Sequence, residues 1–178
     1  MYSDSFKNLV KIASESSKSD YSDELHNKPN PYYVGFGNPN SKILIFGKEK
    51  GYNVNTDTAD IMLYESINNP YEWKHYLDNN ILPHTNKLYD TTSRVDFIQN
   101  DFYKSFPIII CACGSYLSDD QIEAIFDLKL INDFSKSNER LIVFSDGKRV
   151  LINTRQLSMN IKNDYLKSIA DIVKDYLS

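Results

Sequence analysis

Residues 42–53 read KILIFGKEKGYN, and this stretch decides the fold. Its first five residues are apolar except for the lysine, which is typical of a central strand covered on both faces of a sheet. The strand stops at Gly47, and Glu49 follows between two lysines, Lys48 and Lys50. Ligands of open α/β sheets bind beyond the carboxyl ends of the strands, so this loop is a candidate binding site.

Further apolar runs predict more strands. FPIIICACG at 106–114 is a second buried strand that ends at a glycine. Two short runs within 140–154 flank an Asp-Gly pair, which is typical of a hairpin. RVDFIQN at 94–100 is expected to be a strand that leads into a loop. The sequence therefore predicts a largely parallel sheet.

Helical spacing and capping residues predict the helices between these strands. An amphipathic helix is expected from the N-terminus to about Ser16, and a second helix is expected after a cap at Thr56 or Asp57. Ser118 with Gln121 forms a capping-box signature before a third helix, and a last helix closes the chain. Strands alternating with helices indicate an α/β sandwich.

Length and composition limit the function classes. A chain of 178 residues with 41% apolar residues is one ordinary globular domain, 1–178, in which 1–30 hold the N-terminal helix and a polar lead-in. No stretch approaches the roughly 18 apolar residues of a membrane helix, so we expect a cytoplasmic protein with no membrane partner. The net charge of −4 argues against DNA, but residues 140–167 carry six cations against two acids. The alternative reading of this segment is a solvated charged surface.

Several cofactor and metal classes lack their motifs. The loop after Gly47 has neither the Walker spacing nor the third glycine of a dinucleotide fingerprint, and the three histidines lack ligand spacing. We therefore expect no cofactor and no metal. Cys111 and Cys113 are expected to be reduced core residues, because strand geometry leaves their backbones too far apart for an easy disulfide. Redox groups or ligands are the alternative.

A family resemblance adds to this picture. YYVGFGNPNSKILIFGKEKG at 32–51 resembles the N-terminal signature of the uracil-DNA glycosylase superfamily, a Gly-x-Gly-Asn-Pro-type lead-in before an apolar strand and a Gly-x-x-x-Gly catalytic loop. RVLINTRQLSMNI at 149–161 lies where that superfamily has its His-Pro-Ser-type loop. The resemblance implies a three-layer α/β/α sandwich with a mainly parallel four-stranded central sheet. It also implies double-stranded DNA as the partner.

The resemblance assigns roles in the first loop. Glu49 falls where many members have the residue that positions or activates water, and it is the expected catalytic residue. Other branches use a glutamate at the position of Lys48, and an exposed salt-bridge cluster is the structural alternative. Gly51 falls where uracil-specific members have a tyrosine that blocks 5-substituents, so bulky pyrimidines would fit, although a turn could also require this glycine.

The other two motifs supply expected base and DNA contacts. Asn100 matches an asparagine that reads the base edge, with Gln99 and Asp101 as alternatives. Asn153 matches the histidine that supports the departing base, and Arg155 is the alternative because it is a permanent cation. The expected substrate-binding residues are Gly47, Lys48, Lys50, Gly51, Tyr52, Asn100, Asn153 and Arg155.

The expected DNA contacts lie in the closing motif. Leu157 matches an apolar wedge that fills the gap left by a flipped nucleotide, or it packs under the last helix. Gln156 and Ser158 flank it as further DNA contacts.

These assignments imply a monofunctional DNA glycosylase that acts as a monomer. The open position at Gly51 favours a modified pyrimidine, such as the glucosylated hydroxymethylcytosine of phage DNA, removed as an antiphage defence. The alternatives are uracil or mismatch repair, a nucleoside N-glycosidase, and a non-catalytic nucleic-acid or protein binding module. The iron-sulfur branch, which needs four cysteines, is excluded because this chain has two.

Overall fold

The computed structural model describes residues 1–20, 32–47, 59–82, 88–91, 95–133, 141–157 and 161–177. In these ranges helices and strands alternate along much of the chain, as expected of an α/β fold. In chain order the elements are α1 (Asp4–Asp20), β1 (Phe36–Gly37), β2 (Ile43–Gly47), α2 (Ala59–Asp78), β3 (Leu88–Thr91), α3 (Val95–Ile98), α4 (Asp101–Lys104), β4 (Ile108–Ala112), α5 (Asp119–Phe126), β5 (Lys129–Asp133), β6 (Leu141–Ser145), β7 (Val150–Thr154) and α6 (Asn163–Leu177).

The strands form one mixed sheet. In the described part of the chain it has seven strands in the order β1-β3-β2-β4-β7-β6-β5. The four adjacent strands β3, β2, β4 and β7 pair in parallel. β1 pairs antiparallel with β3 at one side, and β6 and β5 add antiparallel pairs at the other. The sheet is therefore larger than the four strands expected, and its additional strands are the antiparallel ones.

Side chains of the strands alternate between two apolar clusters, as the pleat requires. On β4, Ile109 and Cys111 belong to the first cluster, whereas Ile108 and Ile110 belong to the second. The first cluster contains side chains from α1, the end of α2, α3, α4 and α5. The second contains side chains of α6. β2, β4 and β7 are thus covered by apolar side chains in both directions, which explains their nearly continuous apolar sequences.

Local signals fix the helix ends and the turns. Ser118 and Gln121 form the predicted capping box at the start of α5. In the predicted hairpin between β6 and β7, Ser145 accepts a hydrogen bond from the backbone N–H of Gly147 at 2.9 Å. One prediction is wrong: Val95–Ile98 is a helical turn, α3, and not a strand. Its neighbour Asn100 caps the next helix, and the pair of short helices buries Phe102 together with residues of α3.

Four side chains hold the lead-in to β2 in place. The hydroxyls of Tyr89 and Tyr103 each donate to the Val34 carbonyl oxygen at 2.7 Å. Trp73 Nε1 donates to the Gly35 carbonyl oxygen at 2.7 Å. The amide of Asn69 accepts from the backbone N–H of Val34 at 2.9 Å and donates to the Gly35 carbonyl oxygen at 3.0 Å. We call Asn69, Trp73, Tyr89 and Tyr103 the lead-in clamp.

None of the helices in the described ranges is both long enough and apolar enough to cross a membrane.

Candidate functional site

β2 and β7, the strands that precede the first loop and the closing motif of the family resemblance, end at the same edge of the sheet. β2 and β7 flank β4, and all three run parallel. Because neighbouring strands lie about 4.8 Å apart, the chain leaves β2 and β7 from points roughly 10 Å apart. The chain passes from β2 to β3 on one side and then to β4 on the other, so the strand order reverses between β2 and β4. Open α/β sheets bind ligands at such a switch point, beyond the carboxyl ends of the strands.

A row of side chains crosses the sheet close to this edge. Phe46 on β2 is in register with Cys111 on β4, Cys111 with Asn153 on β7, and Asn153 with Ile142 on β6. Phe46, Cys111 and Ile142 all belong to the first cluster. Asn153 therefore faces the first cluster as well. We call these four residues the edge row.

Asn153 is the exception in this row because it is polar. Its side chain is fully buried, with 0% exposure, and neither Oδ1 nor Nδ2 has a hydrogen-bond partner. A buried amide without partners costs stability, since each unpaired group loses about 1–3 kcal/mol of hydration. The edge row thus contains an unpaired donor and an unpaired acceptor.

Several other buried polar side chains of the described ranges are hydrogen-bonded. Asn69, with 1% exposure, bonds to Val34 and Gly35 in the lead-in clamp. The Ser17 hydroxyl donates to the Ala13 carbonyl oxygen at 2.6 Å, and the Thr154 hydroxyl pairs with the Tyr165 hydroxyl. The unpaired state of Asn153 is therefore a local property of the carboxyl edge and not a general property of this core.

Two thiols lie beside Asn153. The Sγ atoms of Cys111 and Cys113 are 2.9 Å apart, and both residues are buried without being joined in a disulfide. The hydrogen bond from Cys111 lowers the pKa of the Cys113 thiol, while burial acts in the opposite direction. The sulfurs approach more closely than the strand spacing predicts, because Cys113 follows the last residue of β4 and Gly114 turns the chain with φ of +65°.

Arg155 lies apart from Asn153. Its guanidinium carbon is 5.5 Å from the centroid of the Tyr165 ring on α6, a cation–π distance. Tyr165 belongs to the second cluster, whereas Asn153 faces the first. Asn153 and Arg155 were the two residues expected in place of the histidine of the resembled superfamily. Asn153 lies in the edge row, whereas Arg155 lies over the Tyr165 ring on α6.

Leu157 and Gln156 follow on the same stretch of chain. Both are partly buried, and Leu157 packs against the second cluster, as its structural alternative predicted. Its role as a wedge in DNA stays a prediction.

Asn100 has a structural task. Its Oδ1 accepts a hydrogen bond from the backbone N–H of Phe102 at 3.0 Å and caps α4. The carbonyl oxygen of Lys104, at the other end of α4, accepts from Arg149 Nη1 at 3.1 Å. Arg149 comes just before β7, so α4 ends at the amino edge of the sheet, opposite the switch point. The structure therefore does not bring Asn100 together with Asn153.

The remaining predicted residues divide into two sets. Gly47 is the last residue of β2 and is in register with Ala112 of β4. The second set lies outside the described residues. It comprises the residues of the first loop and Ser158: Lys48, Glu49, Lys50, Gly51, Tyr52 and Ser158. The catalytic role of Glu49 stays a prediction.

One cation of the basic segment 140–167, Arg149, makes contacts within the fold. The Arg149 side chain pairs with Asp146 at 2.8 Å and also donates to the Lys104 carbonyl oxygen. Burial acts to raise the pKa of Asp146, but hydrogen bonds from the backbone of Arg149 and Lys148, and the Arg149 guanidinium itself, outweigh it and lower the pKa to about 2. Arg149 therefore stabilises the β6–β7 turn.

No cluster of three or more His, Cys, Asp or Glu side chains that could hold a metal occurs in the described part of the chain.

Comparison with family models, with curated proteins and with solved structures found no match to this chain.

Proposed function

We propose that the chain is a DNA N-glycosylase that hydrolyses the N-glycosidic bond of a flipped, modified pyrimidine and leaves an abasic site. We also propose that its sheet and helices form the three-layer α/β/α sandwich of the uracil-DNA glycosylase type. The parallel arrangement of β3, β2, β4 and β7 supports this, because the first motif and the closing motif end at one edge of it. The observation that carries the proposal is the unpaired amide of Asn153 at that edge.

An amide is suited to the edge of a pyrimidine. Nδ2 donates and Oδ1 accepts, and the pairing edge of a pyrimidine presents carbonyl, ring-nitrogen and amino groups that complement such a pair. Hydrogen bonds are stronger in a buried site than in water. A ligand without these polar groups would gain nothing from the amide, so Asn153 would favour a base that carries them.

The proposed reaction needs a carboxylate and a donor. Hydrolysis of the N-glycosidic bond passes through an oxocarbenium-like sugar, which Glu49 would stabilise while it orients the attacking water. Nδ2 of Asn153 would donate to the departing base as negative charge develops on it. Asn153 is fully covered, so we expect the carboxyl edge to open when the base enters.

The substrate would be a modified pyrimidine of phage DNA, with glucosylated hydroxymethylcytosine as the first candidate, and the role would be antiphage defence. The glycine at position 51 supports a large 5-substituent. Uracil or mismatch repair is the alternative reaction, and a nucleoside N-glycosidase or a non-catalytic binding module is the alternative class.

An oligonucleotide screen tests the function. Duplexes carrying uracil, hydroxymethylcytosine or its glucosylated form are incubated with the protein, and abasic sites are scored by alkaline strand cleavage. We expect cleavage of the glucosylated duplex by the wild type and its loss in Glu49→Gln and in Asn153→Leu. Glu15→Gln, the same chemical change on the exposed side of α1, is the matched control and should retain activity.

Each alternative has its own outcome. Cleavage of uracil duplexes alone would indicate repair, and release of base from free nucleosides alone would indicate a nucleoside hydrolase. DNA binding with no cleavage by any variant would overturn the enzyme proposal in favour of a binding module. If Glu49→Gln and wild type are equally active, the assigned carboxylate is wrong.

A further inference from the structure

The two cysteines of the chain meet at the carboxyl end of β4. Their Sγ atoms are 2.9 Å apart, and one thiol donates a hydrogen bond to the other. A disulfide bond is about 2.05 Å long, so an approach of about 0.9 Å would join them. The chain contains two cysteines in all, and each is therefore the other's sole intramolecular partner for a disulfide.

The turn after β4 brings the two sulfurs together. Cys113 lies outside β4, and Gly114, with φ of +65°, turns the chain directly after it. The N–H of Gly114 donates to the Thr154 carbonyl oxygen at 3.0 Å, which fixes the turn against β7. Ser115 and Tyr116, which follow this turn, are exposed, whereas Cys113 itself is 3% exposed, so a peroxide would reach its sulfur by local opening of the turn.

We propose that Cys111 and Cys113 form a redox-active dithiol, which a hydroperoxide converts reversibly into an intramolecular disulfide. The sulfur of Cys113, as a thiolate, attacks one peroxide oxygen and the O–O bond breaks. This gives a sulfenic acid on Cys113, and the leaving oxygen takes up a proton to form water or an alcohol. The sulfur of Cys111 then attacks the sulfenic sulfur, the S–O bond breaks, and the released hydroxide leaves as water with the Cys111 proton. In total the two thiols lose two protons and two electrons, which the peroxide gains.

The contact between the two sulfurs suits these roles. A hydrogen bond from Cys111 would stabilise a thiolate on Cys113, and it lowers the pKa of the Cys113 thiol, so Cys113 would be the attacking sulfur. Cys111 would keep its proton until the second step, in which it resolves the sulfenic acid. Because Cys111 is in register with Asn153, the disulfide would form beside the buried amide of the edge row. The proposal does not depend on the glycosylase function.

Mass spectrometry of the folded protein tests the proposal. The wild type is treated with a small excess of hydrogen peroxide, unfolded in iodoacetamide without reductant, and weighed. We expect a loss of both alkylatable thiols and a mass lower by two hydrogen atoms, with both changes reversed by a dithiol reductant before alkylation. Protein unfolded before peroxide treatment is the control for reaction without the native geometry.

Two variants assign the order of attack. In Cys111→Ser we expect a sulfenic acid on Cys113 that dimedone traps, whereas Cys113→Ser should keep its remaining thiol alkylatable. Circular dichroism checks that both variants are folded. Retention of both thiols by the folded wild type, or oxygen uptake by each cysteine without a disulfide, would overturn the proposal. Because the measurement is a mass and not an activity, failure of the glycosylase proposal would leave this result unaffected.

Discussion

Replacing Asn153 by leucine should make the folded protein more stable. The side chain is fully buried, and its two polar atoms have no partner. Each unpaired group costs about 1–3 kcal/mol, and leucine has the same branched arrangement of heavy atoms, although a larger volume, with no polar atom to desolvate. Allowing for imperfect packing of the branched side chain, we expect the free energy of unfolding to rise by about 1–3 kcal/mol. In a chain of this length this raises Tm by roughly 2–12 °C.

The same substitution at Asn69 is the matched control, and its effect should have the opposite sign. Asn69 is buried to the same degree, but its amide bonds to the N–H groups of Val34 and Gly35 and to the Gly35 carbonyl oxygen. Trp73 would still donate to that carbonyl oxygen, whereas the two N–H groups would lose the amide oxygen that accepts from both. Asn69→Leu should therefore lower the free energy of unfolding by about 2–4 kcal/mol.

Urea unfolding and calorimetry of the three proteins measure both changes, and the cleavage assay measures the cost in function. If Asn153 binds the base, Asn153→Leu should lose about 100-fold or more in kcat/KM, because removing one hydrogen-bond donor to the developing negative charge lowers the rate by about that factor. A loss of stability in Asn153→Leu as large as that in Asn69→Leu would refute the reasoning, because the amide would then have partners in the folded protein. A stabilised variant with full activity would remove Asn153 from the site.

Two further predictions concern the backbone and the β6–β7 turn. Gly37→Ala should lower the free energy of unfolding by about 2–3 kcal/mol, because φ is +105° and the new Cβ would lie 2.4 Å from the Leu88 carbonyl oxygen. At Gly147 φ is +86°, but a new Cβ would have no neighbouring atom within 4 Å. Gly147→Ala should therefore lower the free energy of unfolding by about 1 kcal/mol in the same measurement. The pKa of Asp146 falls from 3.8 to about 2 on folding, so its stabilisation is complete above about pH 4 and is lost as the pH falls through about 2. Since this carboxylate is a third exposed, Asp146→Asn should be about 0.5–1 kcal/mol less stable than wild type at neutral pH and equally stable near pH 2 in urea unfolding.

The sequence predicted the strands that are buried in both directions. β2, β4, β6 and β7 have nearly continuous apolar sequences, and all four were identifiable from them. β1, β3 and β5 were not predicted, because they are short or mixed in polarity and lie at or near the margins of the sheet. Helix α2 continues through Pro70, a residue that usually ends a helix, so its full length was not predicted.

The hydrogen-bonding state of the candidate site was not predictable from the sequence. The resemblance of the closing motif singled out Asn153, and the structure places this residue near the carboxyl end of β7. Whether its amide is hydrogen-bonded depends on neighbours from β4 and β6, which are distant in the sequence. The short distance between the two thiols likewise depends on a turn at Gly114 that strand periodicity does not contain.

Two independent arguments select the same edge of the sheet. Topology selects it, because the strand order reverses between β2 and β4 and both motif strands end there. Energetics selects it as well, because the unpaired amide of Asn153 and the close thiols of Cys111 and Cys113 occur there. The buried side chains of Asn69 and Ser17, elsewhere in the fold, are hydrogen-bonded. Proteins break local rules of stability mainly where function requires it. The cost in stability at Asn153 therefore favours a binding role for the edge row over a purely structural one.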